Sequence, residues 1–305
     1  MKDWEMQHPD LPNVLYKYAS PSTALLVLGN GKLRWSSPSL FNDPAEFQRM
    51  PRFEPSLAEA HKLLPAKLVQ LALNGSGIEE AAFSPSARLL VAFIRAFDAH
   101  GMSRQEIETA LTADLPMADS RVEEELTAFF QKLDHSKARI LCLTTEFNSD
   151  AMWANYAAGS TGCALGFRHI QSLDTALSAA LPVAYTDEKP VAGSGLDFLL
   201  YGDNSGLRRK TFKSVCFTKR ASWSYEREWR VLTWRDDEVE SFGDYKFHPS
   251  ELESVTLGVR ASADYEASIS ALLEGTYPHA ELYRIRLVKG EPHRERLGLA
   301  RYSAT

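Results

Sequence analysis

The hydrophobic pattern of the chain divides into short runs bounded by turn residues and one long block with helical spacing. Runs of about four to eight residues that are rich in branched and aromatic side chains predict strands. Such strands are predicted at residues 13–18, 32–36, 138–145, 162–167, 181–185, 214–217, 228–233, 255–259 and 281–287. Helices are predicted at residues 23–28, around 170–180 and at 263–274. Many short strands with irregular helical interruptions indicate an α+β fold rather than a regular alternation of strand and helix.

The block with helical spacing covers residues 55–137, where Ala, Leu, Glu and Lys dominate. Amphipathic helices are predicted in it at residues 61–73, 85–97, 103–111 and 120–133. The length of 305 residues allows one large domain or two ordinary ones. We interpret the chain as a single α+β domain, residues 1–305, with a helical insertion at about 55–137 that packs beside the sheet.

The composition limits the partners of the protein. The formal net charge is −6, whereas a dedicated nucleic-acid-binding protein usually carries a strong basic excess. The N-terminus lacks the apolar core of a signal peptide, and the longest apolar runs are far too short to cross a bilayer. No histidine or cysteine spacing typical of zinc is present, so no metal is expected. We therefore expect a cytoplasmic protein with no membrane partner and no strong nucleic-acid signature.

The first predicted strand ends in Tyr16, Lys17 and Tyr18. Alternation along a strand places the two tyrosines on one face and the lysine on the other. A lysine at such a position either points to water or holds an anion.

A second polar segment follows the next predicted strand. It begins with Ser36 and Ser37 and continues into a turn that contains Asn42 and Asp43 before a proline. Asn and Asp side chains cap their own backbone in turns, which explains the segment structurally. The alternative is that its hydroxyl groups bind ribose or phosphate.

A third segment places two aromatic side chains on one flank of a short predicted helix, which Ser149 or Asp150 can cap. These side chains are Trp153 and Tyr156. Packing in a core explains them, and so does stacking against the flat ring of a ligand.

The most distinctive segment contains Glu226 and Glu228, two residues apart. On an extended strand both carboxylates share one face and reach one substrate. Two neighbouring like charges raise the pKa of one carboxyl group, which suits acid–base chemistry. The alternative is an ion-pair ladder with Lys219, Arg220 and Arg230.

These segments, in this order, resemble the bacterial family DUF2971, a domain of unknown function. The matching elements are residues 15–18, 33–38, 41–44, 152–157, 162–167 and 223–230. They frame roughly residues 13–260, and the helical block is the least family-like part. Each motif is short, so the resemblance is carried by their shared order.

More distantly, the layout resembles the ADP-ribosyltransferase fold, in which a split β-sandwich clasps NAD. This resemblance implies a split antiparallel β-sandwich here, with NAD as the substrate. Lys17 or Tyr18 would fill the polar position on the first strand, where that superfamily usually has arginine or histidine. Ser36 and Ser37 would contact the ribose of the nicotinamide half.

The same resemblance implies roles for the later segments. Trp153 and Tyr156 would flank the nicotinamide ring. Glu228 would stabilise the oxocarbenium ion by hydrogen bonding a ribose hydroxyl, and Glu226 would orient or deprotonate the acceptor. The remaining predicted NAD contacts are Tyr16, Asn42, Asp43 and Arg230.

The function that follows is cleavage of the nicotinamide–ribose bond, with transfer of ADP-ribose to a macromolecule or to water. In bacteria such activity often serves as a toxin or an antiphage effector, which is an analogy at the level of the fold. One alternative is a non-enzymatic module that binds a nucleotide or a protein. The other is a carboxylate-dependent hydrolase that acts on another nucleotide.

Overall fold

A computed structural model describes residues 11–74, 80–114, 135–235 and 240–298 of the chain. Its strands are β1 (Leu15–Ala19), β2 (Lys32–Ser36), β3 (Arg52–Phe53), β4 (Ala138–Thr144), β5 (Cys163–Phe167), β6 (Leu181–Pro182), β7 (Ala184–Tyr185), β8 (Val191–Gly193), β9 (Thr218–Lys219), β10 (Glu228–Trp234), β11 (Phe242–Lys246), β12 (Leu252–Leu257), β13 (Glu281–Val288) and β14 (Glu291–Leu297). Its α-helices are α1 (Pro21–Asn30), α2 (Leu57–Asn74), α3 (Pro85–Ala99), α4 (Arg104–Asp114), α5 (Asp150–Tyr156), α6 (Gly195–Tyr201), α7 (Ser205–Cys216) and α8 (Ala263–Thr276). None of the helices in these ranges is both long and apolar enough to cross a membrane.

The described residues group into two compact units. The first contains residues 11–46, His135–Asp187, 219–235 and 240–298, and the second contains residues 47–74, 80–114 and 188–218. The interpretation of residues 55–137 as an insertion within a single domain stays a prediction.

The first unit is built on one large sheet. Ten of the strands that the structure describes belong to it, in the order β11-β2-β4-β1-β5-β12-β13-β14, with β10 and β6 attached through β4. Neighbouring strands are antiparallel except for β12 and β13. The predicted α+β class, with a mostly antiparallel sheet, is confirmed.

The sheet forks at β4. One edge of β4 pairs with β10 along its whole length. On the other edge, β2 meets β4 at Ile140 and β1 meets it at Thr144. Cys142 lies between these two positions, and its carbonyl oxygen accepts a hydrogen bond from the Lys17 ammonium at 3.0 Å. We call this gap between β1 and β2 the β4 fork.

Helices α1 and α8 share one hydrophobic core with the sheet, which includes Leu28, Leu165, Val255 and Ile269. The predicted helix at 23–28 is confirmed within α1. The end of α1 also follows from the local sequence. Gly31 adopts the left-handed conformation, with φ of 61°, that ends many helices.

The second unit is mainly helical. Helices α2, α3, α4 and α6 surround a core that includes Leu68, Ile94, Ile107 and Leu200. The predicted helices at 61–73, 85–97 and 103–111 are confirmed, and the one predicted at 120–133 lies outside the described residues.

The strand predicted at 214–217 is wrong, because residues 214–216 complete helix α7. Asn204 caps this helix by accepting a hydrogen bond from the Leu207 N–H at 3.0 Å. Leu207, Thr211 and Val215 then recur at the four-residue spacing of one helical face. A short apolar run cannot by itself distinguish a strand from the end of a buried helix.

Candidate functional site

A cavity of about 160 Å³ lies at the β4 fork. Its wall includes eight of the side chains predicted from the sequence, which are Tyr16, Lys17, Tyr18, Ser36, Asn42, Tyr156, Glu226 and Glu228. The fork therefore brings together residues from the first strand, the second strand, α5 and the segment before β10.

Four of the predicted residues do not line the cavity. Ser37 and Asp43 shape the turn, since Ser37 Oγ accepts from the Ser39 N–H and Asp43 Oδ1 accepts from the Ala45 N–H at 2.9 Å. Arg230 is fully buried behind Glu228.

Trp153 belongs to the core instead of presenting its ring to the cavity. Its indole N–H donates to the Phe147 carbonyl at 3.1 Å, and its ring packs edge-on against Tyr18 with centroids 5.0 Å apart. It therefore supports the Tyr18 wall from behind. Tyr156, one helical turn away, does line the cavity.

Glu226 and Glu228 converge, but not in the way that the sequence predicts. Glu226 ends a 3-10 helix, Ala221–Glu226, and Glu228 begins β10. Arg227 between them adopts a left-handed conformation with φ of 40°. The expectation that both glutamates lie on one face of a strand is wrong, because this turn, and not strand alternation, directs both carboxylates to the same place.

Lys219 is the centre of a buried cluster of charges. Its ammonium lies 2.6 Å from Glu226 Oε2, 3.5 Å from Glu228 Oε2 and 3.5 Å from Glu46 Oε2. The ammonium also lies 4.5 Å from the centroid of the Trp223 ring. Burial alone would lower the pKa of Lys219, but the Glu228 and Glu226 carboxylates outweigh it and raise that pKa above its ordinary value. The lysine therefore stays charged.

Arg230 completes this cluster. Its Nε donates to Glu228 Oε1 at 2.8 Å, and its Nη2 donates to Glu228 Oε2 at 2.8 Å. The same Nη2 also contacts Glu46 Oε1. A bidentate guanidinium–carboxylate pair fixes the orientation of both groups, so Glu228 has little freedom to turn.

A chain of hydrogen bonds leads from the mouth of the cavity to Glu226. The Asn42 amide donates to the Tyr156 hydroxyl at 3.2 Å, and that hydroxyl donates to Glu226 Oε1 at 2.5 Å. Burial, and then the bond to Glu226, raise the pKa of Tyr156 well above its usual range. Tyr156 therefore remains a hydrogen-bond donor at any pH near neutrality.

Glu228 carries the most informative shift in pKa. Burial raises the pKa of its carboxyl group to about 7, although Lys219 acts in the opposite direction. Cys142 forms a side-chain hydrogen bond with this carboxylate, and the Glu228 N–H donates to the Tyr185 hydroxyl at 2.7 Å. A carboxyl group that titrates near neutrality is suited to exchanging protons during a reaction.

Sequence reasoning missed Glu46 and Cys142. Cys142 reads as a core thiol within an apolar strand, yet it lines the cavity because β1 and β2 part beside it. Glu46 had only one local signal, its place just after the Asn-Asp-Pro turn. The sequence predicts Lys219 only as an ion-pair partner of Glu226 and Glu228.

Metal binding gains no support from the residues that the structure describes. Among them, no group of three or more His, Cys, Asp or Glu side chains could hold a metal ion.

Comparison with protein families gives a match. Residues 152–231 match the family model described as Protein of unknown function (DUF2971). The predicted resemblance to this family is thus confirmed over the part of the chain that contains Tyr156, Lys219, Glu226, Glu228 and Arg230. No curated protein and no solved structure gives a significant match. The family description names no activity, so function has to be argued from the site.

Proposed function

We propose that the cavity at the β4 fork is an active site that cleaves the nicotinamide–ribose bond of NAD. The ADP-ribose would be transferred to a macromolecule or to water, as in enzymes with the ADP-ribosyltransferase fold. The observation that carries the proposal is the meeting of Glu226 and Glu228 with Lys17 and three tyrosines around one cavity. A sheet that forks around a cavity also suits the split sheet that the resemblance implies.

The hydrogen bonds support different roles for the two glutamates. An ionised carboxylate has about four lone-pair sites. Glu226 uses one oxygen for Tyr156 and the other for Lys219, so it keeps acceptor capacity for a substrate hydroxyl. In the proposal, Glu226 hydrogen-bonds the ribose or takes the proton of the acceptor.

Glu228 would act through its charge. Both of its oxygens already accept hydrogen bonds from Arg230, and Lys219 and Cys142 add further contacts. This leaves little room for a direct bond to substrate. When its carboxyl group is ionised, the negative charge stabilises a developing oxocarbenium ion, because little solvent screens a charge in a buried site.

The rest of the cavity suits the other parts of a dinucleotide. Lys17 is half-buried, and its ammonium has three donors, one of which is bound to the Cys142 carbonyl oxygen. The others are available for a phosphate, which lysine binds as a point charge. Tyr16, Tyr18 and Tyr156 supply aromatic surface against which a flat ring can pack.

The experiment is to measure release of nicotinamide from NAD by the full-length protein and by charge-neutral variants. Glu226→Gln keeps the shape of the side chain but removes its charge, so we expect turnover to fall by about 100-fold or more. Glu228→Gln should also slow the reaction, with KM nearly unchanged, because it removes charge stabilisation and not a substrate contact.

The matched control is Glu295→Gln, which neutralises a glutamate in an exposed pair with Arg286 and should leave turnover unchanged. Circular dichroism would confirm that each variant is folded. Absence of nicotinamide release by the wild-type protein, or full turnover in Glu226→Gln, would rule out the proposed reaction.

A second candidate is a non-enzymatic module that binds a nucleotide. The observation in its favour is that Glu46, Glu226 and Glu228 are already paired with Lys219 and Arg230, as in a structural ion-pair network. In that case NAD or another nucleotide would bind with no release of nicotinamide. Glu226→Gln and Glu228→Gln would then mainly lower the free energy of unfolding.

A further inference from the structure

Glu46 lies in the wall of the same cavity and is almost completely buried, with 4% of its surface exposed. One of its carboxylate oxygens contacts Arg230 Nη2, and the other lies 3.5 Å from the Lys219 ammonium. Both of these cations also contact Glu228. Glu46 is thus connected to the predicted glutamates through two shared partners, although it is far from them in sequence.

The charges in this cluster do not balance. Lys219 lies within 3.5 Å of three carboxylates, those of Glu46, Glu226 and Glu228, and Arg230 binds two of them. Three carboxylates facing two cations carry one excess negative charge when all are ionised. An uncompensated charge is unfavourable in a buried site, because the protein interior solvates it less well than water does. Binding one proton removes that charge.

The other groups around the cluster do not supply the missing positive charge by direct contact. Lys17, in the wall of the cavity, acts on Glu228 from a distance and in the direction of a lower pKa. Its ammonium binds the Cys142 carbonyl, and no ion pair of the described residues includes it. Burial raises the pKa of the Cys142 thiol and of the Tyr156 and Tyr185 hydroxyls, so all three stay neutral.

We infer that Glu46 is the third carboxylate of the site, and that Glu46, Glu226 and Glu228 hold one proton between them in the protein without substrate. Glu46 is a positioning residue, because it acts on Glu228 through Arg230 and Lys219. The direction of the pKa shift of Glu228, to about 7, agrees with a proton that rests mainly on that residue.

The use of this proton in catalysis rests on the proposed function. Nicotinamide leaves NAD as a neutral molecule, with the electrons of the broken C–N bond. No proton is needed for that step. The acceptor, in contrast, must lose a proton as it bonds to the ribose carbon. The carboxylate cluster has to be deprotonated to take that proton, so nicotinamide release should rise with pH through neutrality.

The test is a pH titration of the full-length protein with ¹³C at the glutamate side-chain carboxyl carbons, followed by NMR between about pH 5 and pH 9. We expect one glutamate carboxyl to titrate near neutrality and its signal to be absent in Glu228→Gln. In Glu46→Gln, loss of the neighbouring negative charge should lower the titration midpoint by about one pH unit, a roughly tenfold loss of proton affinity.

The wild-type titration alone can overturn the inference, whether or not Glu46→Gln folds. If every glutamate carboxyl titrates below about pH 5.5, close to its ordinary range, the cluster holds no extra proton. An unchanged midpoint in folded Glu46→Gln would remove Glu46 from the site. The measurement needs no NAD, so a protein with the neutral titration but without nicotinamide release would reject only the proposed function.

Discussion

At the scale of single residues, the carboxylate cluster depends on Arg230. Its guanidinium is fully buried, binds both oxygens of Glu228 and contacts Glu46. Its planar fork matches a carboxylate in a way that a lysine ammonium cannot. Removing one member of such a cluster costs more than the pair contributes, because the partner is left buried and unpaired.

Arg230→Met tests this dependence. We expect it to lower the free energy of unfolding by about 3–5 kcal/mol near neutral pH, measured by urea denaturation. The matched control is Arg34→Met, which breaks a pair with Asp244 whose side chains are 53% and 40% exposed. An exposed pair contributes at most about 1 kcal/mol. If both variants lowered the free energy of unfolding by the same amount, burial would not make the members of the cluster depend on one another.

At the scale of elements, the site exists because β4 has three strand partners. β10 occupies one edge of β4, while β1 and β2 share the other and separate beside Cys142. Lys17 occupies part of the gap with its hydrogen bond to the Cys142 carbonyl. The fork therefore gives polar side chains access to the middle of a sheet that would otherwise be closed by backbone hydrogen bonds.

The position of β1 in the sheet depends on close contact with the start of β5. A Cβ atom at Gly162 would lie 2.0 Å from the Ala19 carbonyl oxygen, which is backbone and cannot turn away. Gly162→Ala should therefore destabilise the fold by about 1–3 kcal/mol. The control Gly275→Ala lies in α8, where nothing is within 4 Å of the added atom.

Gly275→Ala should be neutral or stabilising by up to about 1 kcal/mol, because alanine favours helices. Thermal denaturation of both variants gives the comparison. A melting temperature for Gly162→Ala equal to or above that of Gly275→Ala would show that β1 and β5 do not approach as closely as described.

At the scale of the whole molecule, the sequence predicts elements better than their arrangement. Period-two and helical patterns are local, so β1, β2, α1 and the helices α2, α3 and α4 of the second unit could be recognised. The order of short motifs also identified eight of the side chains that line the cavity. The fork itself could not be predicted, because it depends on the pairing of β4 with strands that are distant in sequence.

The errors within the site have similar physical causes. The convergence of Glu226 and Glu228 depends on the backbone conformation of Arg227, which residue type does not specify. Glu46 joins the cluster through contacts with residues that are distant in sequence, and such contacts produce no periodic pattern in the sequence. An indole ring suits a hydrophobic core as well as a ligand site. Only the packing of Trp153 against Tyr18 shows that this ring belongs to the core.

The central claim is that a dinucleotide binds at the β4 fork. Met152 lines the cavity, so its ¹³C-labelled methyl group reports on occupancy, with the signal assigned by its loss in Met152→Leu. The probe is an NAD analogue whose nicotinamide–ribose bond cannot be cleaved. We predict that the Met152 signal shifts to saturation in the wild-type protein. In Asn42→Trp, which fills the exposed mouth of the cavity, the signal should not shift. A Met152 signal that stays unchanged in the wild-type protein at saturating analogue would contradict the claim.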